Sequence, residues 1–197
     1  MLDVKTVLMI LCAGFEEIEA SAFTDIMGWS REHGITPVNL VSAALHPEVK
    51  SAWGTVVKPQ SLLKDIKLDN FDALALPGGF ESAGYYKDAF DEKVLETIRY
   101  FDGLKSPIAS ICVGALPLGK SGILHQRPAT TYPLPLGERQ NQLMEFGARI
   151  QPSPLVKYKH IVTSTGPSTA IDVAFLLLEM LTCQENVAEV KKFMGFA

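Results

Sequence analysis

The chain has 197 residues, 47% hydrophobic and 20% charged, with a net charge of −4 and a pI near 5.6. That is enough for one well-filled core and too little for two comfortable domains, so residues 1–197 read as one domain. The acidic balance and the lack of a Lys/Arg run exclude an electrostatic footprint for nucleic acid or an anionic membrane, leaving small molecules or another protein as partners.

The first element, Thr6 to Cys12, is a short apolar run bounded by Gly14. It superficially suggests a secretory signal, but Asp3 offsets Lys5, so no basic region precedes it and it reads as a buried parallel strand. Glu16 to Glu32 follows, with Ile18, Ala22, Phe23, Ile26, Met27 and Trp29 near helical spacing. Glu16, Glu17 and Glu19 crowd its first turn, where carboxylates complement the helix dipole. Glu16 and Glu19 share a face and Glu17 points about 100° away, so at least one carboxylate can turn inward. Strands follow at Pro37 to Ser42 and Ala73 to Leu76, the second running into Pro77-Gly-Gly79. Paired glycines at a strand end let backbone N–H groups approach a ligand closely, although a plain Pro-Gly turn has the same look.

Asp91 to Phe101 reads as a second covering helix, and Pro107 to Cys112 as a strand delivering a cysteine into the small residues Gly114 and Ala115. A tight strand-to-helix turn is where an α/β protein presents a nucleophile. A cysteine at a helix start is expected to have its thiolate favoured by the dipole; a buried structural thiol is the alternative. The run Gly114-Ala-Leu-Pro-Leu-Gly-Lys-Ser121 matches GxxxxGK[ST] literally. Its apolar middle, and Gly122 and Pro128 soon after, do not suit a phosphate loop leading into a helix. Ser82 is no elbow serine, because Phe80 stands where the motif needs glycine; around Cys112 the equivalent position is Ser110, with Gly114 two after.

Ala129 to Thr131 and His160 to Ser164 are the last strand candidates, followed by helices over Thr169 to Leu181 and Asn186 to Met194. Alternating strands and amphipathic stretches predict an α/β fold, a mostly parallel sheet with helices on both faces. Ligands in such folds bind at the carboxyl ends of strands, here Cys12 to Gly14, Pro77 to Phe80, Cys112 to Gly114 and Tyr132, so these four points are expected to converge. Three cysteines, Cys12, Cys112 and Cys183, and four scattered histidines give no disulfide framework and no metal-ligand spacing, which points to a reducing, cytoplasmic home and to no metal.

Five segments in register, Gly14-Phe-Glu-Glu-Ile-Glu19, Leu76-Pro-Gly-Gly79, Ala109-Ser-Ile-Cys112-Val-Gly114, Ala129-Thr-Thr-Tyr132-Pro133 and Thr163-Ser-Thr-Gly-Pro-Ser-Thr169, resemble the ThiJ/PfpI family. The resemblance covers essentially the whole chain. It implies a flavodoxin-like three-layer sandwich, a reactive Cys112 and a protonated Glu19 hydrogen-bonded to it. It also implies an oxyanion-type site of backbone N–H groups at Gly78, Gly79 and Val113, and no cofactor. Members are commonly homodimers, with activities ranging over peptidase, glyoxalase, deglycase, isocyanide hydratase, chaperone and oxidative-stress sensor, and fold does not choose among them. Many members carry a histidine where this chain has Tyr132. A phenol with an ordinary pKa near ~10 is no base at neutral pH, which disfavours a Cys-His peptidase or amidase. Nothing in the sequence brings His125 to the thiol instead. Three readings stand: attack of Cys112 on a small electrophilic carbonyl compound with Glu19 moving the proton, oxidation of Cys112 as a stress signal or a chaperone-like activity, or a scaffold with a vestigial site.

Overall fold

The computed structural model describes residues 4–196. Eleven strands follow in chain order: β1 (Lys5–Ile10), β2 (Val38–Ala44), β3 (Val49–Lys50), β4 (Val56–Val57), β5 (Ser61–Leu62), β6 (Ala73–Leu76), β7 (Ile108–Ser110), β8 (Pro128–Ala129), β9 (Arg149–Ile150), β10 (Leu155–Tyr158) and β11 (Ile161–Ser164). Among them run α1 (Glu17–His33), α2 (Tyr85–Ala89), α3 (Glu92–Leu104), α4 (Ala115–Lys120), α5 (Glu138–Glu145), α6 (Ala170–Leu181) and α7 (Gln184–Met194).

Seven strands form the central sheet in the order β10-β11-β7-β6-β1-β2-β5. All pairs are parallel except the β10–β11 edge. Helices α1, α6 and α7 pack together as one layer, and α3, α4 and α5 as another. The result is a flavodoxin-like α/β sandwich. The chain leaves β1 toward β2 on one side, then returns to lay β6 on the other, so the strand order reverses between β1 and β6. That crevice is where doubly wound sheets bind ligands.

The inner strands are apolar because both faces are covered: all four residues of β6 and all three of β7 are buried. Helix α1 turns Ala20, Phe23, Ile26 and Met27 into this core. Its start is fixed by Glu16, whose Oε2 accepts from the Glu19 N–H at 2.9 Å. A buried amide ties the far end: Asn186 Oδ1 accepts from the Thr36 N–H at 3.0 Å, and its Nδ2 donates to the Thr36 carbonyl at 3.1 Å. Among the described residues no helix is long and apolar enough to cross a membrane.

One sequence expectation is corrected here. Ala129 to Thr131 is no strand of the central sheet; Pro128 and Ala129 pair in parallel with Arg149 and Ile150 in a separate two-stranded sheet. Instead Thr130 reaches the main sheet through its N–H, donated to Thr163 Oγ1 at 2.9 Å. Ala115–Lys120 is itself α4, so the GxxxxGK[ST] match is the body of a helix and forms no phosphate cradle, in line with its dismissal from the sequence.

Candidate active site

Residues following β1, β6 and β7, together with the segment after β8, line one cavity of about 350 Å³. Glu16, Glu19, Gly79, Phe80, Cys112, Val113 and Tyr132 all contribute, with Tyr86, Leu134, Pro135, Arg139 and Pro167 toward the mouth. Three of the four strand ends expected to converge thus meet at the cavity. The first supports it from behind: Gly14 accepts from the Phe80 N–H at 2.9 Å, and Gly78 accepts from the Glu16 N–H at 2.9 Å, pairing Phe15 with Gly79. Another hollow, of about 420 Å³ between α1 and β2, holds neither a cysteine nor a buried carboxyl.

The three acids of the first turn divide as their spacing suggests. Glu17 faces outward and accepts from the Ser51 hydroxyl. Glu16 caps the helix, and its other oxygen accepts from Trp53 Nε1 at 3.3 Å. Glu19 alone is completely buried. Its Oε2 accepts from the Gly78 N–H at 2.6 Å, whereas Oε1 has no hydrogen-bond partner among the described residues. Burial outweighs the Gly78 hydrogen bond and pushes the carboxyl up to about 8, so Glu19 is an acid at neutral pH.

Cys112 stands at the end of β7 in the left-handed region, with φ of +56°. A non-glycine residue is rarely held there, and such strain collects at functional turns. The residue is 8% exposed. The expectation of a dipole-favoured thiolate is overturned: burial pushes the thiol up, the charge that Glu19 carries when ionised adds to it, and only the Val113 N–H works the other way. The physical reason lies in the turn, because Cys112 opens a three-residue 3-10 segment and α4 begins only at Ala115 and runs six residues. A short, offset helix gives little dipole against a dry environment.

Of the expected backbone donors, the Gly78 N–H is spent on Glu19. The Val113 N–H meets the Cys112 sulfur. Gly79 keeps its N–H beside the cavity, with no acceptor for it among the described residues. Tyr132 occupies the wall where the family histidine is expected. His125 is exposed, against Gly147, and does not line the cavity. Sequence reading did not find the mouth: Arg139 pairs with Glu81 at 2.6 Å and lies 5.2 Å over the Tyr86 ring. Helix α5, which carries Arg139, is polar, eight residues long and buries only Leu143, too few apolar positions to mark it in the sequence.

Against this geometry, the DJ-1/PfpI family profile matches residues 5–180. Protein dj-1beta of Drosophila melanogaster is 30% identical over 190 residues, 95% of each chain. A Caenorhabditis elegans protein named glutathione-independent glyoxalase DJR-1.2 is 28% identical over 177 residues, 90% of this chain and 88% of that one. The crystal structure of Drosophila melanogaster DJ-1beta superposes with a TM-score of 0.85 at 27% identity, covering 98% of this chain and 99% of the other.

Proposed function

Because this chain belongs to the DJ-1/PfpI family, we propose that it is a cysteine-dependent enzyme acting on a small electrophilic carbonyl compound, with an α-oxoaldehyde as the first candidate. Cys112 is the nucleophile, Glu19 carries the proton, and the Gly79 N–H, which has no other acceptor among the described residues, steadies the developing oxyanion. The observation that carries this reading is Glu19: fully buried, held as an acid beside the thiol, with one oxygen free of hydrogen-bond partners among the described residues, in the lining of the cavity that holds Cys112.

As the sulfur attacks the aldehyde carbon, the thiol proton passes by way of Glu19 to the carbonyl oxygen, giving a hemithioacetal. Glu19 then moves a proton from the first carbon to the second through an enediol, leaving a thioester. Water hydrolyses the thioester to a 2-hydroxy acid and restores the thiol. The sum is aldehyde plus water to hydroxy acid, with no external oxidant or reductant. A carboxyl titrating near 8 is suited to this duty, because both of its forms are accessible close to neutral pH. The name of the C. elegans relative supports the reaction class.

Amide cleavage is less well supported: among the described residues no histidine lines the cavity, and a poor leaving group needs a strong proton donor. Oxidation sensing is the second reading, because it leaves the buried acid Glu19 and its unpartnered oxygen without a task that proton transfer to a carbonyl substrate gives them. The same reading takes the protein to work on small molecules as a cytoplasmic homodimer without cofactor or metal; its three free cysteines support a reducing compartment. The test is conversion of methylglyoxal to lactate followed by proton NMR. Cys112→Ser is expected to abolish it, and undiminished conversion by that variant overturns the proposal.

A further inference from the structure

We infer that Thr131 is a positioning residue for Cys112, its hydroxyl fixing the peptide plane that follows the thiol; the inference rests on the reading of Cys112 as nucleophile. Thr131 is completely buried, and its Oγ1 donates to the Cys112 carbonyl at 2.8 Å from 19 residues away in the chain. The same carbonyl accepts the Ala115 N–H at the start of α4, so it is gripped from two sides. Such a grip is what a residue at φ +56° requires, since that backbone state persists only where the surroundings over-determine it.

A peptide group is planar, and its N–H points away from its C=O. Holding the Cys112 carbonyl toward Thr131 therefore turns the Val113 N–H to the opposite side, where it meets the Cys112 sulfur. That N–H is the contact that favours a thiolate, against burial and Glu19. Thr131 thus acts on the thiol through one rigid plane without touching it. It also directly precedes Tyr132, so the same hydrogen bond holds the Tyr132 wall against the Cys112 turn. Burial alone does not demand the bond: Thr130 is equally buried, and its hydroxyl has no partner among the described residues.

The test is the rate of Cys112 alkylation by iodoacetamide from about pH 6 to about pH 10, read by peptide mass spectrometry on the full chain. Thr131→Val removes the hydroxyl at nearly constant volume, Thr131→Ala removes it with a smaller side chain, and Thr131→Ser keeps it. The deletions are expected to slow alkylation about tenfold and to move the profile to higher pH, with Ser close to wild type. A merely structural hydrogen bond lowers the melting temperature and leaves the profile in place. Profiles of the Val and Ala variants that superimpose on wild type overturn the inference, and so does a Ser variant that behaves like Val. Methylglyoxal turnover measured in parallel separates the two claims: absence of turnover in wild type sinks the proposed reaction while the alkylation comparison still decides the role of Thr131.

Discussion

Glu19 and Cys112 both press on the face of Gly78 where a side chain would stand. A Cβ built at position 78 lies 3.0 Å from Cys112 Cβ, 3.0 Å from Glu19 Oε2 and 2.8 Å from the Ile111 carbonyl. The absence of a side chain is what brings the carboxyl and the thiol into one site, and the Gly78 N–H then holds the carboxyl there.

Gly78→Ala should therefore wedge the pair apart. A displacement on the scale of an ångström costs about a hundredfold in kcat/KM, and the overpacked core loses about 1–3 kcal/mol. Gly103→Ala is the control: that glycine lies near the end of α3 with open space around it, so alanine should gain about 0.5–1 kcal/mol with activity unchanged. Urea titration and methylglyoxal kinetics on both variants check this, and an active Gly78→Ala protein contradicts it.

The buried acid has a pH signature. Glu19 titrates near 8 in the folded protein and near ~4.3 when unfolded, so between those values the folded state holds the extra proton. Its contribution to stability is fully present below about pH 4.3 and is lost as pH rises toward about 8, on the order of a few kcal/mol in all. Glu19→Gln, which cannot ionise, should flatten that slope and melt above wild type near pH 8. Melting curves that keep the same pH dependence in both proteins would contradict the assignment.

Tyr132→His is expected to move the thiol toward its thiolate, because an imidazole with an ordinary pKa near ~6.5 can take the proton that a phenol cannot. Iodoacetamide should then label Cys112 several-fold faster at neutral pH. An unchanged rate would mean that the wall at Tyr132 does not reach the sulfur.

Asn186 gives a stability prediction remote from the site. Its amide serves the Thr36 N–H and carbonyl and reaches the Thr182 and Ser30 hydroxyls, docking α7 onto the end of α1. Asn186→Leu strands those groups in a buried place and should cost about 2–4 kcal/mol in chemical denaturation, with methylglyoxal kinetics intact. A loss below about half a kcal/mol would show that the network is replaceable.

Sequence periodicity located the elements that bury most. The run Ala73–Leu76 is bounded by Asp72 and Pro77, and β6 has those same limits. The spacing of Glu16, Glu17 and Glu19 foretold one inward carboxyl, and burial identifies it as Glu19. Strands of two residues such as β3, β4 and β5 carry too little pattern to be seen, and α5 has only Leu143 fully inward. Ala129 to Thr131 has the composition of a core strand, yet its pairing was decided by the distant partner Arg149–Ile150. The state of the Cys112 thiol was illegible for a similar reason: a helix start is written locally, but dryness and the neighbouring acid come from segments far along the chain.

The glycines of the run 114–121 do work of another sort. A Cβ at position 114 would fall 2.6 Å from the Leu76 carbonyl, and one at position 119 would fall 2.7 Å from Leu143 Cδ1. Each glycine lets a neighbouring segment slide in close, one at the tip of β6 and the other under α5. A string that reads as a nucleotide signature is here a pair of mechanical clearances, and filling either one would reshape the cavity from outside without altering a residue that faces substrate.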